Sequence, residues 1–342
     1  MTSEQAPAGM VRVAIDAMGG DNAPAAMVQG ALEAIAGGGI VALLVGDQTA
    51  LEQQVAHLDL SKLPIKIIPS DGVIKEGENP VSALREKPKA SISVATQLVK
   101  LGHADAAVTM GSTGAAMAVS MFALGTLEGV ERPSLGGPIF SIAPKTVVID
   151  LGTNVDCRPA QLLSFGVIGS VLANKLFDVE NPRVALLSVG AEEGKGNRQV
   201  KEAYDLLKQS GLNFIGNIEG FDVVAGNAEV VVCDGFVGNI LMKFSEGMGV
   251  VLEGWLLQSL EAHLSEEAAA DVAREIRSLT NVVEGAGGGP LLGVDGAVIV
   301  GHGRAQATEV AKAIRMAKYV VDIGFVASLK EELKRVHERV SA

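Results

Sequence analysis

The sequence is poor in the residues that mark several specialised classes of protein. Two cysteines, Cys157 and Cys233, stand in 342 residues, which excludes a disulfide framework and points to a reducing compartment. Aromatic residues make up 4%, and no platform of aromatic and basic side chains for stacking bases is present. Positive charge is in deficit: 28 Lys and Arg against 40 Asp and Glu leave a formal net charge of -12, which opposes nonspecific binding to nucleic acid or to anionic lipid. No His-x-x-x-His or Cys-x-x-Cys spacing occurs, so neither a metal nor a cofactor is predicted. The opening MTSEQAPAG carries no basic segment, apolar h-region or lipidation pattern, which makes the cytoplasm the expected location.

Long apolar runs are scarce too. The 22 uncharged residues between Asp105 and Glu128 reach membrane-spanning length, but Gly111-Ser112-Thr113-Gly114 interrupts them with turn and N-cap residues. The segment reads as a strand from Ala106 to Met110 followed by a buried helix from Thr113 to Leu124.

What the chain does have is a steady alternation. Apolar strand runs at Val11–Asp16, Val41–Gly46, Ile65–Ile68, Ala106–Thr109, Thr146–Asp150, Val184–Val189, Phe214–Ile215, Val230–Cys233 and Ala297–Val300 are mostly followed by helical patterns. Such runs, apolar on both faces, predict an α/β fold with a doubly wound parallel sheet covered by helices on both sides. Pro138–Asp150, with Pro144-Lys145 as its turn, reads as an antiparallel hairpin set into that pattern. Ile240–Leu264 and Glu266–Thr280 read as a long αα-hairpin over 240–280 that projects from the sheet. No linker or repeat divides residues 1–342, which read as one compact unit or two interleaved lobes.

Candidate chemistry gathers where strands end. Val13 to Asp21 runs from a strand into the double-glycine turn Gly19-Gly20, with Asp16 at the strand end and Pro24 opening the next helix. Backbone NH groups freed by such a turn can approach an anion. The G-x-G-x-x-G spacing of a dinucleotide site is missing. Leu187 to Asn197 resembles a Walker loop, yet it is one residue short between its glycines and has Gly196 where Ser or Thr would hold magnesium. What remains is Lys195 between two glycines at a helix start, a point charge suited to phosphate. Val230–Cys233 reads as a buried strand, Asp234–Asn239 as a tight turn and Ile240 onward as a helix, which places Asp234 and Asn239 where open α/β sheets build ligand sites. Cys157 has no histidine near it in sequence, and Cys233 reads as core.

DAMGGD at Asp16–Asp21, GSTGA at Gly111–Ala115, DLGTNVDCRP at Asp150–Pro159, EEGKGN at Glu192–Asn197, FIGNIEG, DGFVGN, and GGPLLGVDG with GHG between Gly287 and Gly303 together resemble the PlsX family. The match runs in order from about Val11 to about Arg304. Two departures are visible: Arg304-Ala305 follows GHG where the family usually has two small hydroxyl residues, and Met110 precedes the GSTGA turn. The resemblance implies a three-layer fold like that of isocitrate and isopropylmalate dehydrogenases and phosphotransacetylase, and a homodimer. It implies transfer of a fatty acyl group from acyl-ACP, the acylated carrier protein, to inorganic phosphate, giving acyl phosphate for a membrane glycerol-3-phosphate acyltransferase. Weak peripheral contact with the inner face of the membrane is implied through the helical hairpin, whose tip bears Glu266, Glu267 and Asp271 in place of lysines.

That reaction asks for positioning and charge stabilisation more than for covalent help. On this reading Lys195 serves the phosphate or the oxyanion. The Gly19-Gly20 and Ser112-Thr113 turns, with Asp16, contact phosphate or pantetheine. Asn154 and Asn239 supply orienting hydrogen bonds. Asp234 orients Lys195 or accepts a proton from phosphate, and His302 protonates the leaving thiolate. The carrier is acidic, and residues 61–100 are locally basic, so Arg85, Lys87 and Lys89 are expected to help dock it.

Overall fold

The computed structural model describes residues 9–260, 263–280 and 287–340. The opening residues read for a leader, and two positions at the hairpin tip, lie outside them. The chain divides into two compact units, Met1–Leu127 with Ala286–Ala327, and Glu128–Gly285 with Ser328–Ala342.

The first unit contains β1 (Val11–Asp16), α1 (Ala25–Ile35), β2 (Ile40–Gly46), α2 (Gln48–Val55), β3 (Ile65–Pro69), α3 (Pro80–Glu86), α4 (Ser91–Lys100), β4 (Ala106–Thr109) and α5 (Thr113–Ala123). Its sheet has the order β3-β2-β1-β4, continued by two late strands, β11 (Ala297–Val300) beside β4 and β10 (Gly289–Leu292) antiparallel to β11. Strands β2 and β4 are buried at every position, as expected where helices cover both faces. Helix α1 and the helix Ala307–Asp322 pack together on one side, and α4 and α5 on the other. Helix starts follow local chemistry: Asp47 caps α2, Asn79 caps α3 ahead of Pro80, and Ser112 caps α5, each side chain accepting a backbone NH of the first turn.

The second unit contains β5 (Ser134–Gly137), β6 (Val147–Ile149), α6 (Pro159–Phe177), β7 (Val184–Leu187), α7 (Arg198–Gln209), β8 (Phe214–Ile218), α8 (Gly220–Ala225), β9 (Val230–Val232), α9 (Gly235–Leu260) and α10 (Glu266–Thr280). Its strand order is β5-β6-β9-β7-β8, parallel except for the β5–β6 pair. Among the described residues only α6 is long and apolar enough to cross a membrane, and it packs on β6, β7 and β9 as a core helix. Helices α9 and α10 run antiparallel, with Ser245 Oγ donating to Thr280 O at 2.9 Å and Arg277 pairing with Glu253 at 2.9 Å.

Several boundaries differ from the sequence-based expectation. The antiparallel partner of β6 is Ser134–Gly137 rather than the first arm of the expected Pro138–Asp150 hairpin, because residues 138–146 form a longer irregular connection. Strands β5 and β10 carry glycine and proline, which depress strand propensity, and they form as antiparallel partners of β6 and β11. Helix α9 begins at Gly235, so Asp234–Asn239 is the helix's first turns and not a tight turn ahead of it.

Candidate active site

In the first unit the chain leaves β1 for β2 and β3 on one side and returns to β4 on the other. The carboxyl ends of β1 and β4 therefore flank the switch point where open α/β sheets place their ligands. The register that pairs Ile15 with Val108 continues to set Asp16 beside Thr109. Thr109 Oγ1 donates to Asp16 Oδ2 at 2.6 Å and accepts from Gly111 N at 3.0 Å. Gly19 lies over the carboxylate, for a β-carbon there would collide with Asp16 Oδ2. Gly20 holds φ at +95°, between Met110 and the carbonyl oxygen of Gly303, a conformation that excludes most side chains. Asp21 N donates to that carbonyl at 2.7 Å, and Gly301 N donates to Thr109 O at 2.9 Å. The turns 19–21, 110–113 and 301–303 thus form one surface, with His302 half-buried in it.

Two features suit this surface to an anion. Ser112 Oγ accepts from Ala115 N at 3.4 Å, while the NH groups of Thr113 and Gly114, at the start of α5, have no helical carbonyl to bond. Those groups carry the positive end of the helix dipole. Asp16 is only 2% exposed, and burial raises its pKa above the ordinary carboxylate value, against the pull of the nearby Ser91 and Thr109 hydroxyls. A carboxyl that resists ionisation repels a phosphate less than an exposed aspartate would.

In the second unit the corresponding surface forms at the carboxyl ends of β6, β9 and β7. Asp150 is fully buried, and its carboxylate accepts from Gly152 N at 3.1 Å, Thr153 N at 3.1 Å, Asn154 N at 2.8 Å, Asn154 Nδ2 at 2.8 Å and the Thr153 hydroxyl. It is the hub of the 150–154 loop. Helix α9 begins against that loop: Gly235 N donates to Asn154 O at 2.7 Å. A β-carbon on Gly238 would overlap the Asp150 carbonyl oxygen, and Gly152 faces Asn239. Asp234 Oδ1 accepts from Val237 N at 2.8 Å. Lys195 stands exposed in the loop between β7 and α7, its NH bonded to Glu192 O at 2.9 Å. That loop is braced by Asn217 Nδ2, which donates to Glu192 O at 3.0 Å.

Residues 11–328 match the family model described as "Fatty acid synthesis protein". The chain belongs to this family, the PlsX family of phosphate acyltransferases. It is 41% identical over 328 residues to the phosphate acyltransferase of Desulforamulus reducens, covering 95% of this chain and 98% of that one. It is 43% identical over 342 residues to that of Thermosynechococcus vestitus, covering 98% and 96%. Among solved structures, a phosphotransacetylase from Streptococcus pyogenes superposes with a TM-score of 0.61 at 17% identity, covering 92% of this chain and 95% of that one, a likeness of fold. A phosphate acyltransferase requires an anion site and donors for a developing oxyanion, and the NH groups at the start of α5 can serve an anion.

Set against the expected site residues of a PlsX acyltransferase, the structure brings Asp16, Gly19, Gly20, Ser112, Thr113 and His302 together in the first unit. Lys195, Asn154, Asp234 and Asn239 lie in the second. Three of these residues have hydrogen-bond partners of their own in the structure. Asp16 lies almost wholly buried beneath Gly19, where its carboxyl accepts from the Thr109 hydroxyl. Asn154 is 1% exposed, and its amide donates to Pro133 O at 2.8 Å and to Asp150, so it fixes the loop. Asp234 caps α9, and among the described residues no ion pair joins it to Lys195. Cys157, half-buried, donates to Asn154 O at 3.2 Å, and burial with Asp150 nearby pushes its thiol up to about 12, which disfavours the thiolate a nucleophile needs. Burial likewise raises the Cys233 thiol.

Sequence reasoning passed over Thr109 and undervalued Asp150. A polar residue closing an otherwise apolar strand one position before Met110-Gly111 was the available signal for the first. An acid followed by Gly, Thr and Asn, residues that donate locally to carboxylates, was the signal for the second. Lys87, expected to dock the carrier, bonds both Glu78 oxygens at 2.7 Å and Val73 O at 3.0 Å. It is tied into its own loop, leaving Arg85 and Lys89 exposed.

Proposed function

We propose that the protein transfers a long-chain fatty acyl group reversibly from acyl-ACP to inorganic phosphate, giving acyl phosphate for glycerol 3-phosphate acylation by a membrane enzyme. The observation that carries this reading is the junction of the Gly19-Gly20, Gly111–Thr113 and Gly301–Gly303 turns at the switch point, beside the start of α5. A phosphate oxygen attacks the thioester carbonyl, a C–O bond forms, and the C–S bond breaks with its electron pair leaving on the pantetheine sulfur. On this reading backbone NH groups of the first unit's turns hold phosphate and His302 donates the proton to the thiolate, while the roles expected of Lys195, offsetting negative charge, and of Asn239, orienting a polar group of the substrate, belong to the second unit. Asp16, Thr109, Asp150 and Asn154 hold these groups in place.

The same reading makes the protein a cytoplasmic homodimer with weak membrane contact. Exposed Phe244, Val250, Val251 and Trp255 on α9 support an apolar contact of that kind. Exposed Arg85 and Lys89 support docking of an acidic carrier.

The test is phosphate-dependent release of free carrier from palmitoyl-ACP by the purified protein, with EDTA present and palmitoyl phosphate detected directly by mass spectrometry. Release with formation of palmitoyl phosphate is expected. Turnover of acetyl-CoA alone would replace this function with that of a phosphotransacetylase, and an inactive protein that still bound liposomes would replace it with an adaptor role.

A further inference from the structure

We propose that a cavity in the first unit, enclosed by α3, α4, α5 and the end of β3, houses the alkyl chain of the acyl donor. The inference rests on the acyl-transfer reading and adds the place where the hydrocarbon goes. The cavity has a volume of about 800 Å³ and is lined by residues that include Val81, Leu84, Leu98, Leu101, Val119 and Phe122. That volume falls in the range of about 300–1,000 Å³ typical of small-molecule sites.

Its position ties it to the anion surface. The start of α3 abuts the start of α5, where a β-carbon on Gly114 would stand 3.2 Å from Pro80 Cγ. Val81, the next residue, already lines the cavity. Along α5, the six steps from Thr113 to Val119 span about 9 Å at the helical rise. A thioester carbonyl at the Ser112-Thr113 turn therefore has an apolar trough opening directly beside it. The rest of α5, through Phe122 and Ala123, forms its wall.

The lining selects hydrocarbon over other occupants. Of its fourteen residues only Arg85, Ser93 and Gln97 are polar. A docked polypeptide brings backbone NH and carbonyl groups that such a wall would leave unbonded, whereas an alkyl chain brings none. Phe122 is 81% exposed, with Leu101 at 58% and Val81 at 56%, so the apolar surface continues out to the rim and would be covered when a chain lies across it. Arg85 is the one charged lining residue, placed to meet an anionic group of the donor while the chain lies below it.

The experiment compares kcat/KM for palmitoyl- and octanoyl-carrier thioesters in the wild type and in Val94→Trp and Ala123→Trp, which fill the cavity from two helices. Blocking several methylene positions should cost the palmitoyl donor about tenfold or more, while the octanoyl donor changes by no more than about twofold. Equal losses on both donors, or no loss on either, would overturn the proposal. A wild type inactive on both donors would overturn the acyl-transfer reading itself, a separate result. Photolysis of wild-type protein with a palmitoyl donor carrying a terminal diazirine needs no variant to fold. Label within residues 68–123 is expected, and label confined elsewhere would defeat the proposal. So would a Phe122→Ser protein that lost phosphatidylglycerol-vesicle binding or dimer mass with its chain-length ratio unchanged, since the face would then serve lipid or a second copy.

Discussion

Thr109 Oγ1 donates a 2.6 Å hydrogen bond to Asp16 Oδ2 across adjacent parallel strands, with both side chains almost wholly buried. The bond ties the Gly111 turn to the carboxyl beneath Gly19, because Gly111 N donates to the same hydroxyl. Thr109→Val keeps the shape and removes the donor, leaving a buried acceptor unmet. Urea unfolding should show a loss of about 1–3 kcal/mol. Unchanged stability would mean that the strand register alone positions the turn.

Asp16 also predicts a pH dependence. Its pKa is raised above the ordinary 3.8, chiefly by burial, so the folded state holds the proton more tightly than the unfolded chain. The stabilising contribution is complete below about pH 4 and is lost as the pH rises through the folded pKa. Asp16→Asn abolishes that titration. Its stability relative to wild type should therefore improve from acid toward neutral pH in a series of urea midpoints. A difference that stays flat across the series would contradict the raised pKa.

Two glycines of one helix should respond oppositely to the same change. Gly238→Ala forces a methyl into the Asp150 carbonyl, and overpacking of that severity costs about 3 kcal/mol or more. Gly247, exposed on α9 with open space around it, should gain about 0.5–1 kcal/mol on conversion to alanine. Thermal unfolding of the two variants checks both signs, and a mild Gly238→Ala would show that α9 can slide away from the 150–154 loop.

Lys195→Ala addresses the chemistry. The side chain is exposed, so the unfolding midpoint should not move, while phosphate-dependent turnover falls about a hundredfold if a preorganised charge is lost. Full activity in the variant would remove Lys195 from the site.

Much of the fold was legible in the sequence because it is locally encoded. β1, β4 and β11 are largely apolar on both faces and bounded by turn residues, and the limits of β1 and β11 were read to the residue. The family's motifs were legible as well, and the comparisons bear the resemblance out. β5 and β10 were not legible: Ser-Leu-Gly-Gly and Gly-Pro-Leu-Leu have little strand preference of their own and are held extended by their neighbours.

The sequence by itself determined which segments are buried strands, where side chains cap helices, and that glycine-rich turns follow particular strands, since each depends on residues a few positions apart. Only the tertiary structure decided that Asp16 lies under Gly19 against Thr109, that the Asn154 amide joins Asp150 to Pro133 O, and that Lys87 is bound by Glu78. Those outcomes rest on strand register and on contacts between residues up to 93 positions apart. A buried carboxyl or amide bonds to whatever the fold brings within about 3 Å.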